Sequence, residues 1–533
     1  MLPERIRDKC MVIEKLRLLD LAIVVIYMVA VAFIGWRCSR KQDNTENYYV
    51  AKRAIPAWAM AFSFFATLVS SLTFISYPGS GYAGNWNELV PGFMLILLLL
   101  LLGTVVIPFY RHVVGMSAYE YFGKRFGYGA RVYSSLGFSA GHFSKMGFVF
   151  YVLAMTIHSI TGWNLMGVIV VSGFVTVFYT LIGGLEAVIW TEVLQGIIMW
   201  TGIFVCLGFL LFLPPGGPPA AFSLAVENNK FSLGSWDFDL MKKGVWVMLL
   251  YGFFWNLQKY TGDQTIIQRY LVAKSDRDAL KGVAMGAAMS VACWVFFMLI
   301  GTLVWCYFKL SGDVLPPHID KPDEVFPYFI GSKIPVGLAG LFMAALFAAG
   351  MSTLASDMNC LSAVFVKDYY QVIRPRSTDR QHLFAGKLVV ALCGAASVAI
   401  AIVITVSGER SLSLYFTVSS ILTCGIAGLF LLAFLSTRAN KPGVWIGIIA
   451  CLVFTAWGTL TSGKEPIWNL GAYNFKLPGI MIGVIGHVVL LVVGYLASWF
   501  FAPPDPSLRA MTIWGWLERK RSAGGSAGFE ARA

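Results

Sequence analysis

Thirteen runs of mostly apolar residues follow one another along this chain, near 18–36, 56–84, 88–110, 132–160, 164–184, 187–213, 244–270, 280–308, 336–366, 384–407, 412–437, 442–461 and 477–501. About 20 such residues are needed for a helix to cross a bilayer. Lipid offers the backbone no hydrogen-bond partner, so only helices and closed barrels span it. The runs are continuous and lack the alternation of a barrel strand. Composition agrees: of 533 residues, 57% are hydrophobic and 13% charged, against about 25% charged in a soluble chain. The chain reads as an all-α polytopic membrane protein with about thirteen transmembrane helices. Residues 1–17 form an N-terminal segment and 18–501 the transmembrane domain. Residues 502–533, polar and rich in Gly, Ser and Ala, read as a frayed, non-catalytic cytoplasmic tail.

The formal charge of +13 would suggest nucleic acid in a soluble protein. Here the basic residues sit in short connections with no interleaved aromatic residues, the pattern of loops facing anionic headgroups. Alternate connections divide the Lys and Arg residues into 25 on one side and 14 on the other, with Lys145 and Lys259 inside spans. The richer side is cytoplasmic by the positive-inside rule, which puts the C-terminus inside and, with thirteen spans, the N-terminus outside. Arg5, Arg7, Lys9, Lys15 and Arg17 flank the first span on its outer side and count against that orientation. Two connections rich in Pro, 214–243 and 309–335, read as ordered extracellular caps. The nine cysteines are scattered without a C-x-x-C pair, and the six histidines lack H-E-x-x-H spacing. Neither a phosphate loop nor a nucleophile–base arrangement is present, so no ATP-driven pump, cofactor or enzyme is indicated.

Polar groups at membrane depth are costly, so each cluster of them is a functional candidate. The second span contains Ala66, Val69, Ser70 and Thr73, which fall at i, i+3, i+4 and i+7, followed by Pro78, Gly79 and Gly81. So many Ser, Thr, Gly and Pro residues break a helix, and a break exposes carbonyl oxygens suited to Na⁺. The same residues also suit close helix packing. The ninth span repeats the pattern with Ala349, Ser352, Thr353 and Ser356. Two hydroxyls with a carbonyl one turn earlier make half of a Na⁺ shell; small-residue packing is again the other reading. The sixth span buries Glu192, and the seventh carries Gln258, Lys259, Gly262 and Asp263, a second place to break. Paired interruptions five spans apart mark the corresponding helices of two repeats, about 56–213 and 244–437. Lys145, near the middle of the fourth span, needs a partner there: Glu192, another carboxylate or an anionic solute.

These stretches resemble the sodium:solute symporter family, which includes sodium/glucose, sodium/proline and sodium/sialic acid transporters. The likeness runs over about 18–500 and is carried by GGLEAVIWTEVLQGIIMW (183–200), GDQTIIQRYLVAKS (262–275) and AAGMSTLASDMNCLSAVFVKDYY (348–370). It implies the leucine-transporter-type inverted five-plus-five helix repeat over spans two to eleven. By position it implies a sodium site made of the carbonyls of Ala66, Val69 and Ala349 and the hydroxyls of Ser352 and Thr353. Members that bind a second sodium use an Asp in the sixth span and further serines in the ninth. Here Glu192 stands at the Asp position, Ser356 is kept, and Ala355 stands where those members have Ser. Glu192 and Ser356 are therefore read as a site for a second cation or for a proton. Ser70 and Thr73 match solute contacts of sialic acid members, and Lys145 falls about where those members place a basic residue for the solute carboxylate. Gln258 and Asp263 complete the solute candidates.

The resemblance makes the chain a sodium-coupled symporter of the cell membrane. Its partners are Na⁺ and a small polar solute (a sugar, a sialic acid or another carboxylate), with no nucleic acid. One sodium, at about 2.3 kcal/mol per 100 mV and about 1.4 kcal/mol per tenfold gradient, drives roughly 400-fold accumulation of a neutral solute. The alternatives are a proton-coupled carrier titrating Glu192 and a membrane sensor with a transporter-like domain.

Overall fold

A computed structural model describes residues 18–39, 42, 44–317, 319–407, 421 and 423–523. The basic N-terminal segment, residues 412–420 of the eleventh run and the end of the tail lie outside these. The described residues are helical, with a single isolated bridge, Ile55 to Ala273, and no strand.

The apolar runs become helices α1 (Leu18–Ser39), α2 (Ala57–Leu68), α3 (Ser71–Ala83), α4 (Val90–Val113), α5 (Tyr128–Thr161), α6 (Leu165–Phe212), α7 (Val245–Gly262), α8 (Gln264–Val272), α9 (Asp276–Ser311), α10 (Leu338–Val364), α11 (Asp379–Ser407), α12 (Ile426–Leu435), α13 (Lys441–Thr461) and α14 (Ile480–Ser498). Helix α6 has 48 residues. At 1.5 Å per residue it would be about 70 Å long, over twice the hydrocarbon thickness. It is hinged at Gly184, where φ is 56° and ψ −156°. Only glycine holds that conformation freely, and a Cβ there would lie 2.7 Å from the Tyr48 carbonyl. The fifth and sixth runs are thus two spans joined at Gly184. Runs two and seven are each a broken pair, α2–α3 and α7–α8. The eleventh run is described over α12, so the full count of thirteen rests on the sequence.

The breaks follow from local chemistry. Helix α2 ends when Val69 turns extended, and α3 restarts after Ser70 at an angle of 65°. The Ser70 N–H goes to the Thr73 hydroxyl at 3.2 Å. In an unbroken helix that N–H would be bound by the Ala66 carbonyl, which is thereby released. In the seventh run Asp263 is extended and its carboxylate caps α8, accepting from the Thr265 N–H at 2.9 Å.

Helix α10 lies at the centre. Every residue from Phe342 to Val364 is buried, whereas α1 and α14 present apolar faces outward. Helix α10 packs on α6, α1, α5 and α11, and α3 packs on α9. The α3–α9 contact is close because Gly301 has no side chain: a Cβ there would lie 2.0 Å from the Pro78 carbonyl oxygen. The two Pro-rich connections carry helices Gly217–Glu227 and Pro322–Lys333. The tail departs from expectation. Pro506–Met511 and α15 (Ile513–Ala523) are helical and docked. The Tyr121 hydroxyl donates to the Met511 carbonyl at 3.0 Å, and the Trp514 indole N–H to the Leu435 carbonyl at 2.7 Å. Overall polarity hid these aromatic anchors.

Candidate functional site

The released carbonyl of Ala66 faces α10. The Ser352 hydroxyl lies 2.9 Å from it and 3.1 Å from the Ala349 carbonyl, and the Thr353 hydroxyl lies 3.1 Å from that same carbonyl. All of these residues, and Val69 at the break, are buried. The fold therefore brings together four of the five expected sodium oxygens across α2 and α10 within hydrogen-bond reach. Val69 lies at the end of α2, its N–H still bound to the Phe65 carbonyl at 3.0 Å. The set is neutral. Carbonyls and hydroxyls are hard oxygen ligands that suit an alkali cation without holding it irreversibly.

The position expected for a second cation or a proton holds a different group. The guanidinium of Arg269 (α8) lies 2.8 Å from Glu192 Oε1 and 2.5 Å from the Ser356 hydroxyl. It also donates to the Thr265 carbonyl at 2.8 Å. Ser63 and Ser356 donate to Glu192, and Thr67 lies 3.4 Å from it. Arg269 and Glu192 are both completely buried. At the position expected for a second cation or a proton, Glu192 and Ser356 are thus both in contact with a cation belonging to the protein. Arg269, which the division of basic residues counts with the connections, is buried in α8.

The solute candidates fall into two sets. Ser70 and Thr73 form the start of α3, and the Ser71 hydroxyl donates to the Val149 carbonyl at 3.3 Å. That contact sets α3 against α5 one turn from Lys145. The Lys145 ammonium does not reach Glu192; it lies 2.9 Å from the Asp357 carboxylate of α10. Asp263 lies 2.5 Å from the Lys259 ammonium. His142 joins the two pairs, with Nδ1 2.8 Å from Asp357 and Nε2 3.3 Å from Asp263. Gln258 lies apart from these charges, its amide 3.4 Å from the Thr423 carbonyl.

Sequence reasoning missed His142, Asp357, Lys259 and Arg269 as site residues. Two local signals were available. His142 and Lys145 are three residues apart on one helix face, and Lys259 and Asp263 are four apart. Nothing local points from either pair to Asp357.

A family model for the sodium:solute symporter family matches residues 48–451. The chain belongs to the sodium:solute symporter family. It is a multi-pass membrane transporter that couples sodium to the symport of a small solute. A sodium/sialic acid symporter of Aliivibrio fischeri is 28% identical over 89% of this chain and 92% of its own length. The human sodium/glucose cotransporter 4 is 31% identical over 81% of this chain and 67% of its length. A solved Na⁺-coupled sialic acid symporter, substrate-bound and outward-open, superposes with a TM-score of 0.85 at 28% identity, covering 91% of this chain and 98% of that one. Mhp1, a nucleobase-cation-symport-1 family transporter, matches with a TM-score of 0.55 at 14% identity, a likeness of fold alone. The fold of this family member is the leucine-transporter type.

Proposed function

We propose that the chain moves one sodium ion inward per cycle with a small organic solute bearing a carboxylate, across the cell membrane, with its C-terminus cytoplasmic. The observation that carries the reading is the Ser352 hydroxyl of α10 reaching the Ala66 carbonyl released at the broken second span, with the Ala349 carbonyl and Thr353 hydroxyl beside it on α10. A sodium ion there bridges α2 and α10 and orders the break that also bears Ser70 and Thr73. Sodium affinity that differs between the outward-open and inward-open states then drives the solute.

A count of one sodium is supported by Arg269, whose guanidinium stands beside Glu192 and Ser356. The same contacts disfavour a carrier that titrates Glu192. A proton on Glu192 would remove the charge that balances the buried Arg269 guanidinium and leave that cation unpaired. A carboxylate solute is supported by Lys145 and Lys259, whose side chains keep 28% and 22% exposure beside the solute candidates. It is also supported by the sialic acid symporters among the relatives. The glucose cotransporters favour a neutral sugar as the second reading.

The test is Na⁺-stimulated uptake in reconstituted vesicles, with sialic acid, pyruvate and glucose as solutes. Replacing Ser352 and Thr353 together by Ala abolishes the Na⁺ stimulation. Uptake that keeps its full Na⁺ dependence in that variant refutes the site.

A further inference from the structure

The sodium and solute readings leave the C-terminal segment unused. Trp516 of α15 packs on the end of α4, its ring centroid 5.7 Å from that of Phe109 and 5.4 Å from that of His112. The Trp514 indole is tied to the last carbonyl of α12, that of Leu435, and remains 50% exposed. Just past α14, Trp499, Phe500 and Phe501 are exposed as well. Exposed tryptophans where spans end mark the boundary between hydrocarbon and headgroups. Trp514, Leu517 and Arg521 fall at i, i+3 and i+7, so they share one face of α15.

The cations of this surface outnumber its acids. Glu518 pairs with Arg509 at 2.5 Å, and Asp505 caps the Ser507 N–H at 2.8 Å. Arg519, Lys520 and Arg521 are exposed, and among the described residues no carboxylate pairs with them. The Arg519 guanidinium lies 5.6 Å from the centroid of the Trp516 ring and donates to the Ala510 carbonyl. A fourth cation, Arg438, follows the end of α12 by three residues. It lies over the Trp499 ring at 5.1 Å and donates to the Phe501 carbonyl at 2.8 Å, while its Nη1 meets no acceptor among the described residues. Guanidinium and ammonium groups only donate. A phosphate diester offers both the acceptor oxygens and the negative charge that match them.

We infer that α15, with Arg438 and the aromatic residues just past α14, is a docking surface for anionic phospholipid, its rings at the headgroup boundary and its cations on the phosphates. A helix with aromatic residues on one face and free basic residues beside them lies in the plane of that boundary. Aromatic residues alone would suit any lipid; the unpaired cations select a negative headgroup. The cytoplasmic orientation proposed above names the leaflet, and nothing else in the inference depends on it or on the solute.

The full-length protein in phosphatidylcholine vesicles, given photoreactive phosphatidylglycerol at rising mole fraction in both leaflets, tests the surface. The readout is lipid cross-linked to peptides of 499–523. Saturable labelling of these peptides in wild type is the expected result, with photoreactive phosphatidylcholine labelling them weakly and without saturation. Each Lys or Arg near an anionic surface is worth about fivefold in affinity. Arg519→Gln with Lys520→Gln and Arg521→Gln therefore removes about 100-fold of the preference, so labelling no longer saturates. At 1 M salt, where charges are screened beyond about 3 Å, the wild-type preference shrinks likewise.

The charge-conserving variant Arg519→Lys with Lys520→Arg and Arg521→Lys keeps the saturable labelling, which separates lost charge from lost folding. Equal labelling by the two lipids, or saturation that survives the triple Gln variant, overturns the inference. So does wild-type protein without label in 499–523, which would leave the basic face to an acidic protein segment instead. Failure of the sodium site in the uptake test leaves all of these results unchanged.

Discussion

The two broken spans share a backbone and differ in equipment. Val69 at the first break has φ −100° and ψ 117°; Asp263 at the second has φ −96° and ψ 116°. Around the first break stand neutral oxygens, those of Ala66, Ala349, Ser352 and Thr353. Around the second stand Asp263, Lys259 and His142, with Arg269 one and a half turns along α8. The same extension of two helices can therefore release a carbonyl, as proposed above for a sodium ion, or anchor fixed charges. A neutral set binds an ion weakly enough to release it each cycle. A fixed ion pair instead ties helices together, and breaking it exposes an unpaired buried charge.

The largest expected effect lies on the charged side. Arg269→Met leaves Glu192 buried without its partner and lowers stability by about 3–5 kcal/mol, read as a loss in thermal denaturation. Adding Glu192→Gln recovers most of that loss. A silent single variant would mean that the pair does not hold the second repeat to the first. Next comes the neutral side. Ser352→Ala with Thr353→Ala removes two of the oxygens proposed to hold Na⁺, at about 1–2 kcal/mol each, so Na⁺ affinity drops about 100-fold in a sodium-dependent thermal shift. Folding is retained, because no charge is orphaned; gross unfolding of this variant would erase the distinction between the two breaks.

Lys145→Met comes third. It removes one charge-assisted contact, so the affinity for an anionic probe falls about tenfold while that for glucose changes little. Equal losses for both probes would assign Lys145 to structure alone. The smallest effect belongs to a half-buried pair outside both breaks. Lys333 and Tyr307 hydrogen-bond Asp313 and hold its carboxyl below the usual aspartate range. A group held low contributes stability above its unfolded value and loses it as pH falls through the folded one. Lys333→Met therefore flattens the acid limb of a thermal-shift profile and leaves sodium binding untouched.

Much of this was legible in the sequence because it is local. Ser, Thr, Gly and Pro within one apolar run announce the first break, and the adjacent hydroxyls of Ser352 and Thr353 mark the face of α10 that meets the Ala66 carbonyl. The rest depends on pairs remote in the chain. Lys145 finds Asp357, 212 residues away, and Glu192 finds Arg269, 77 residues away. Each residue advertises that it needs a partner, but the choice is made by helix packing that no spacing encodes. Arg269 misled for a further reason: α8 is the least apolar part of the seventh run, so its end reads as a connection. The tail misled in the opposite sense, since Trp514, close to Lys and Arg, docks a segment that looks solvated.

The guanidinium beside Glu192 also bears on energetics at the scale of the cell. A cation tethered to the chain returns with the empty carrier and so draws nothing from the ionic gradient. With one Na⁺ and one monovalent anion, the translocated pair is electroneutral. Membrane voltage then does no work on it, and the attainable solute ratio equals the Na⁺ concentration ratio.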